Sequence, residues 1–124
     1  MRFLRLPICW AFAFFAAGIP FWRIAYDQLN LSFHVFLPGA LLLGVLTMML
    51  VALESARARS IIFAMLMCVP MVDIVTIVRD TAVDPTTHNL APFELAIAGV
   101  LGACFVVPGL VAGLIVRALL RRQA

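Results

Sequence analysis

Apolar residues along this chain fall into four long blocks, at residues 6–22, 35–53, 61–78 and 95–116, separated by short polar stretches. A helix crossing a hydrocarbon core of about 30 Å needs roughly 20 residues, within a working range of about 17–25. Each block is long enough. None alternates apolar with polar residues as a barrel strand would. Backbone inside a bilayer must satisfy its own hydrogen bonds, so the blocks predict four helices. The connecting segments are too short to hold a second domain. The predicted fold is all-α: an integral membrane four-helix transmembrane bundle, one domain over residues 1–124.

Composition agrees. The 124 residues are 65% hydrophobic and 12% charged, with a mean hydropathy of +1.14. Soluble domains carry about 45–50% apolar and about 25% charged residues. These values exclude a soluble globule, a disordered chain and a basic nucleic-acid module. The net charge of +3 matters less than where the charges fall. Every basic residue is arginine, which hints at GC-rich coding and a bacterial source. Arg2 and Arg5, Arg57 and Arg59, and Arg117, Arg121 and Arg122 lie in the first tail, the middle loop and the last tail. The other two loops hold only Arg23 and Arg79, with Asp27, Asp80, Asp84 and Glu94. The positive-inside rule then predicts an inner-membrane protein with both termini and residues 54–60 in the cytoplasm. Trp22 and Tyr26 fit an aromatic belt at the outer surface. Cleavage of a signal peptide after 16–18 is the rival reading of the first block. The apolar run continues through Trp22 without a polar break, as a retained span would.

Asp73 stands out as the one ionisable residue inside a block. It lies about 9 Å along the axis from Arg79 at 1.5 Å per residue, and helical spacing puts Pro70, Asp73, Thr76, Ile77 and Asp80 on one face. An intramembrane carboxyl is expensive and is paired, protonated or functional. Three readings stay open. It pairs with Arg23 or hydrogen-bonds His34 or Tyr26; it is a simple protonated acid; or it binds a proton or cation in transport.

The fourth block carries a packing signal. Gly99, Gly102, Val106, Gly109, Gly113 and Val116 recur at spacings of three and four and form one seam. Small residues let a second backbone approach, which is what holds membrane helices together. Ala40, Gly44 and Thr47 make a facing surface on the second helix. The expected use is packing inside the bundle, with a dimer or partner interface as the alternative. The first helix's Trp10, Phe12, Phe14 and Phe15 read as lipid-facing filler.

Elsewhere, architecture explains the polar residues. Asp84-Pro85 makes a turn, Asn89 can cap the fourth helix, and Glu94 suits the positive end of its dipole. An acidic outer surface for a partner protein is the functional alternative. A glycosylation-type match at Asn30-Leu31-Ser32 is too common to weigh. Cys9, Cys68 and Cys104 lie far apart in apolar blocks, which predicts buried thiols rather than disulfides or zinc ligands. His34 and His88 have no metal-ligand spacing. A faint repeat relates Arg23…Asp27…Asn30-Leu31…Gly44-Val45-Leu46 to Arg79…Asp84…Asn89-Leu90…Gly99-Val100-Leu101, at unequal spacings.

Small multidrug exporters share this size but need a glutamate in the first span, which residues 6–22 lack. Small fluoride channels need a glycine-rich first span and polar pore residues, also absent. Four-helix thiol oxidoreductases need paired cysteines. Trp22…Tyr26…Leu29-Asn30-Leu31…Pro38-Gly39 and Asp84-Pro85-Thr86-Thr87-His88-Asn89-Leu90…Phe93-Glu94 resemble a group of uncharacterised small four-span bacterial inner-membrane proteins. That resemblance implies a bundle and brings no activity, cofactor or site residue. No nucleophile–base pair, phosphate loop or metal motif is present, so no enzyme, metal or cofactor is expected. The expected function is an accessory or interaction subunit of a membrane complex. Its partners would be the lipid bilayer and a membrane protein or a second copy, and not nucleic acid. The alternative is a small transporter or channel built on Asp73.

Overall fold

A computed structural model describes residues 2–24 and 33–123. It is all-helical among those residues: α1 (Arg2–Trp22), α2 (Phe33–Ala52), α3 (Ala58–Val83) and α4 (Ala91–Gln123). All four are long and apolar enough to cross a membrane. The apolar blocks locate each helix but understate its ends. α3 runs five residues past its block and α4 starts four residues early, so Arg79, Asp80 and Glu94 are helical. α4 also continues seven residues beyond its block to Gln123. Charged residues do not stop a helix; they only leave the apolar layer.

α2 and α4 share the most extensive interface, followed by α3 with α4 and α1 with α2. α1 also packs on α3, while α2 and α3 touch little although only a short turn joins them. The reason lies in residue size. Gly44 and Gly109 meet directly, and Gly113 sits against the Met48 carbonyl and the Val51 side chain of α2. Higher on α4, Gly102 receives the Val69 side chain of α3. Gly39 of α2 rests against the backbone of Ala17 on α1, a second close approach that the periodicity of α4 did not signal. Helices carrying small residues at matched positions come closest, and close approach maximises van der Waals contact.

Gly102, Val106, Gly109 and Gly113 of the seam pack inside the bundle, while Gly99 and Val116 are not among its buried residues. The buried stripe of α4 is Ala98, Gly102, Val106, Gly109 and Gly113. Gly99 lies off it and faces open space, because an α-helix follows 3.6 residues per turn and the stripe passes through position 98. On α2, Ala40, Thr47 and Leu43 are wholly buried, so the expected facing surface is present.

Two further expectations are corrected. Trp10 and Phe14 are not filler. The Trp10 indole donates to the Ala64 carbonyl of α3 at 2.9 Å and its ring stacks on Phe14 at 5.0 Å. Phe12 and Phe15 do face outward. Helical period splits the four aromatics between two faces. The thiols likewise differ: Cys68 is wholly buried, Cys9 partly buried, and Cys104 exposed. Cys104 sits two residues from both Gly102 and Val106, and so on the side away from the seam.

The turn after α2 is a Schellman motif. Ser55 N–H donates to the Leu50 carbonyl at 3.1 Å and Glu54 N–H to the Val51 carbonyl at 3.2 Å. Glycine usually occupies the left-handed position of this motif. Here Glu54 does, at φ 47°.

Candidate functional site

Polar side chains gather at both ends of the bundle. At the end holding the α3–α4 turn, extension of α3 to Val83 leaves Arg79 and Asp80 on its last turns. Arg79 donates to the Trp22 carbonyl at the end of α1. It also pairs with Asp80 Oδ1, through Nε at 2.7 Å and Nη2 at 2.6 Å. The Trp22 indole N–H donates to the Val72 carbonyl of α3 at 3.1 Å, which locks α1 to α3 a second time.

The turn then folds back. Asp84 Oδ1 accepts the backbone N–H of Thr86 at 2.9 Å and its hydroxyl at 2.7 Å, closing an Asx turn. Those bonds hold the Asp84 carboxyl below the usual carboxylate range. His88 follows in the left-handed region at φ 55°. Its ring is almost fully buried and points back between two helices. Nε2 meets Asp80 Oδ2 at 3.0 Å, and Nδ1 meets Glu94 Oε2 in the first turn of α4. Burial of the ring opposes its charge, but the hydrogen bonds to Asp80 and Glu94, and then their charges, prevail. They hold the imidazole above its ordinary value.

His88 itself thus anchors the start of α4, through its ring to Glu94 and its carbonyl to Ala91 N–H at 3.0 Å. Asn89, the expected cap, is exposed. Positions 80, 88 and 94 have no common helical spacing, so periodicity could not join them. The available signal was a histidine in a short turn flanked by acids.

Asp73 lies below this cluster on α3. It makes no hydrogen bond or ion pair among the described residues, and its Oδ2 is buried without a partner. Arg23 and His34 are both exposed, and neither reaches it. The expected Asp73–Arg23 and Asp73–His34 contacts are therefore absent. Arg79, one helical turn and more above Asp73, satisfies the α1 terminus instead. Tyr26, the other proposed partner, lies outside the described residues, as do Asp27 and the 30–32 segment. Thr76 is buried with its hydroxyl donated to the Val72 carbonyl at 3.1 Å. The charged groups whose fields reach Asp73 are Glu94 and His88.

The opposite end is arginine-rich. Glu54 Oε1 accepts Arg117 Nε at 2.7 Å and Arg121 Nη2 at 2.6 Å. The extension of α4 past residue 116 is what brings both guanidinium groups over the end of α2. The bond from Arg121, followed by the charge of Arg117, holds the Glu54 carboxyl below its ordinary range despite some desolvation.

Among the described residues, no three histidine, cysteine, aspartate or glutamate side chains are placed to hold a metal ion. The site residues expected from sequence thus divide. Asp73 feels the charges of Glu94 and His88, Thr76 bonds within its own helix, Arg23 and His34 make no ion pair with the cluster among the described residues, and Gly102, Gly109 and Gly113 serve packing elsewhere. No protein-family model, curated protein or solved structure matches this chain.

Proposed function

We propose that this chain is a multi-pass inner-membrane protein of bacterial type that serves as an accessory or interaction subunit of a membrane complex. The observation that carries this reading is the closed interior. Leu43, Met65, Val72 and Val106 are wholly buried, and the α2 and α4 backbones touch at Gly44 and Gly109. The two buried threonines, Thr47 and Thr76, donate their hydroxyls to carbonyls of their own helices, at 2.7 and 3.1 Å. Apart from the Asp73 carboxyl, an interior packed this way offers a solute no polar lining. Arg79, Asp80, His88 and Glu94 at one end, and Glu54, Arg117 and Arg121 at the other, are spent on one another. Such a bundle acts by what its outer faces and ends meet: lipid, and a membrane-protein partner or a second copy.

Crosslinking in native membranes, followed by affinity capture of the intact chain, tests the reading. A stoichiometric membrane-protein partner, or the chain itself as a defined oligomer, is expected. Ion or solute flux through the purified chain alone in proteoliposomes would overturn it.

Orientation follows from the arginine asymmetry, with the Glu54–Arg117–Arg121 end cytoplasmic together with both termini, and the His88 end outside. Arg57 is exposed in the middle turn. A cysteine at Arg57, in a background lacking Cys9, Cys68 and Cys104, should resist impermeant maleimide in intact cells and react after lysis.

One observation favours the second reading, a small proton- or cation-linked carrier. Asp73 keeps a buried oxygen without a partner, which is the state of a carboxyl that holds and releases a proton.

A further inference from the structure

We propose that Asp80, His88 and Glu94 form a proton-held latch: a single bound proton closes the α3–α4 turn at the end of the bundle nearest Asp73, and its release to water opens it. The inference stands whether the chain is an accessory subunit or a carrier.

The argument is one of donors and acceptors. Both ring nitrogens of His88 face carboxyl oxygens, Nε2 at 3.0 Å from Asp80 and Nδ1 against Glu94. An ionised carboxyl only accepts, while a neutral imidazole has one N–H and one lone pair. With both acids ionised and the ring neutral, one nitrogen lone pair would point at a carboxylate at hydrogen-bond distance. The closed arrangement therefore contains one extra proton, on the ring or on one of the acids. The His88 side chain is only 2% exposed, which leaves little water to substitute for a lost contact.

Neighbouring charges keep this proton in place. From α3, Arg79 occupies Asp80 Oδ1 and leaves Oδ2 for His88. Asp73 acts on the cluster from the same helix, and Glu94 from α4. Asp84, within the turn, is engaged by Thr86. From α1, the Trp22 carbonyl accepts from Arg79. The latch also holds His88 in a left-handed conformation, uncommon for a residue other than glycine.

Opening has a defined readout. Ala91 N–H is bonded to the His88 carbonyl, and the N–H groups of Phe93 and Glu94 to the Leu90 carbonyl, at 2.8 to 3.0 Å. These bonds belong to the latched turn. The His88 pKa is raised in the folded state. The stabilisation is therefore complete below the ordinary histidine value of about 6.5 and is lost as pH climbs through the higher folded value.

The test uses the full chain with His34→Gln in lipid nanodiscs, leaving His88 as the sole histidine. Its ring carbon shifts are followed by NMR across pH, alongside amide exchange corrected for intrinsic rate. His88 should titrate above about 6.5. In the same pH step, Ala91, Phe93 and Glu94 should exchange at least about tenfold faster while Leu43 and Leu50 of α2 are unchanged. Glu94→Gln should move the transition downward. A ring that titrates at or below the ordinary value would overturn the proposal. So would exchange at Ala91–Glu94 that ignores the titration.

Discussion

Gly109 of α4 lies against Gly44 of α2 so closely that a β-carbon on Gly109 would stand 2.3 Å from the Gly44 carbonyl oxygen. Its obstacle is backbone, which cannot rotate aside. Gly109→Leu should therefore separate α2 from α4, and overpacking of this kind costs about 1–3 kcal/mol or more. Val111, two residues away, is 50% exposed, and Val111→Leu should change stability by less than about 0.5 kcal/mol. Thermal unfolding in nanodiscs checks the pair. Equal tolerance of both would remove this contact from the account of the fold.

Gly99 supplies the opposite case. A β-carbon there meets nothing within 4 Å. Gly99→Ala should leave the bundle as stable or stabilise it by up to about 1 kcal/mol, because alanine loses less backbone entropy in a helix. A clear loss of stability would mean that Gly99 makes a contact outside this chain, such as one with a partner helix.

Glu54 joins two roles that substitutions can separate. Glu54→Gln keeps the left-handed backbone and removes the charge that Arg117 and Arg121 share. Amide exchange in the last turns of α4 should quicken, while the rest of the bundle stays protected. The pH dependence has a definite sign. Because the folded carboxyl titrates below its ordinary 4.5, the clamp is intact above that value and is lost as pH falls through the folded one. Added salt should weaken it too, since the group is exposed. Wild-type exchange at residues 117–123 that is indifferent to both pH and salt would refute the clamp.

Asp73→Asn tests the unpaired carboxyl. No Arg23 contact exists to break, so the variant should fold with undiminished stability. A double-mutant cycle with Arg23→Gln should show coupling below about 0.5 kcal/mol, as for independent sites. Coupling well above that would place the two side chains together after all. Flux measured on the same reconstituted samples then decides between a structural acid and a carrier site.

Trp10 can be tested without disturbing its stack. Trp10→Phe retains a ring to lie on Phe14 but removes the donor to the Ala64 carbonyl. One such hydrogen bond contributes about 0.5–1.5 kcal/mol net, and unfolding should shift by at least that amount. Phe12→Leu, on the exposed side, should be silent by the same assay.

The sequence alone determined that there are four helices and where their centres lie. Their apolar blocks match the length a membrane requires, and without the alternation of a barrel strand only a helix satisfies its own backbone hydrogen bonds there. It also determined that Gly102, Gly109 and Gly113 share a face, because period alone decides which positions align on a helix. Tertiary structure decided which surface that face meets, namely Gly44 and Met48 of α2 and Val69 of α3. It put Ala98 on the stripe in place of Gly99. It turned Trp10 and Phe14 inward and left Asp73 without the Arg23 partner expected from the sequence. The joining of Asp80, His88 and Glu94 lay furthest from the sequence. Their meeting depends on how far α3 continues past its apolar block, on a left-handed residue in the turn, and on where α4 begins. Helix ends and turns are set by hydrogen bonds between particular atoms, and those have no period to read.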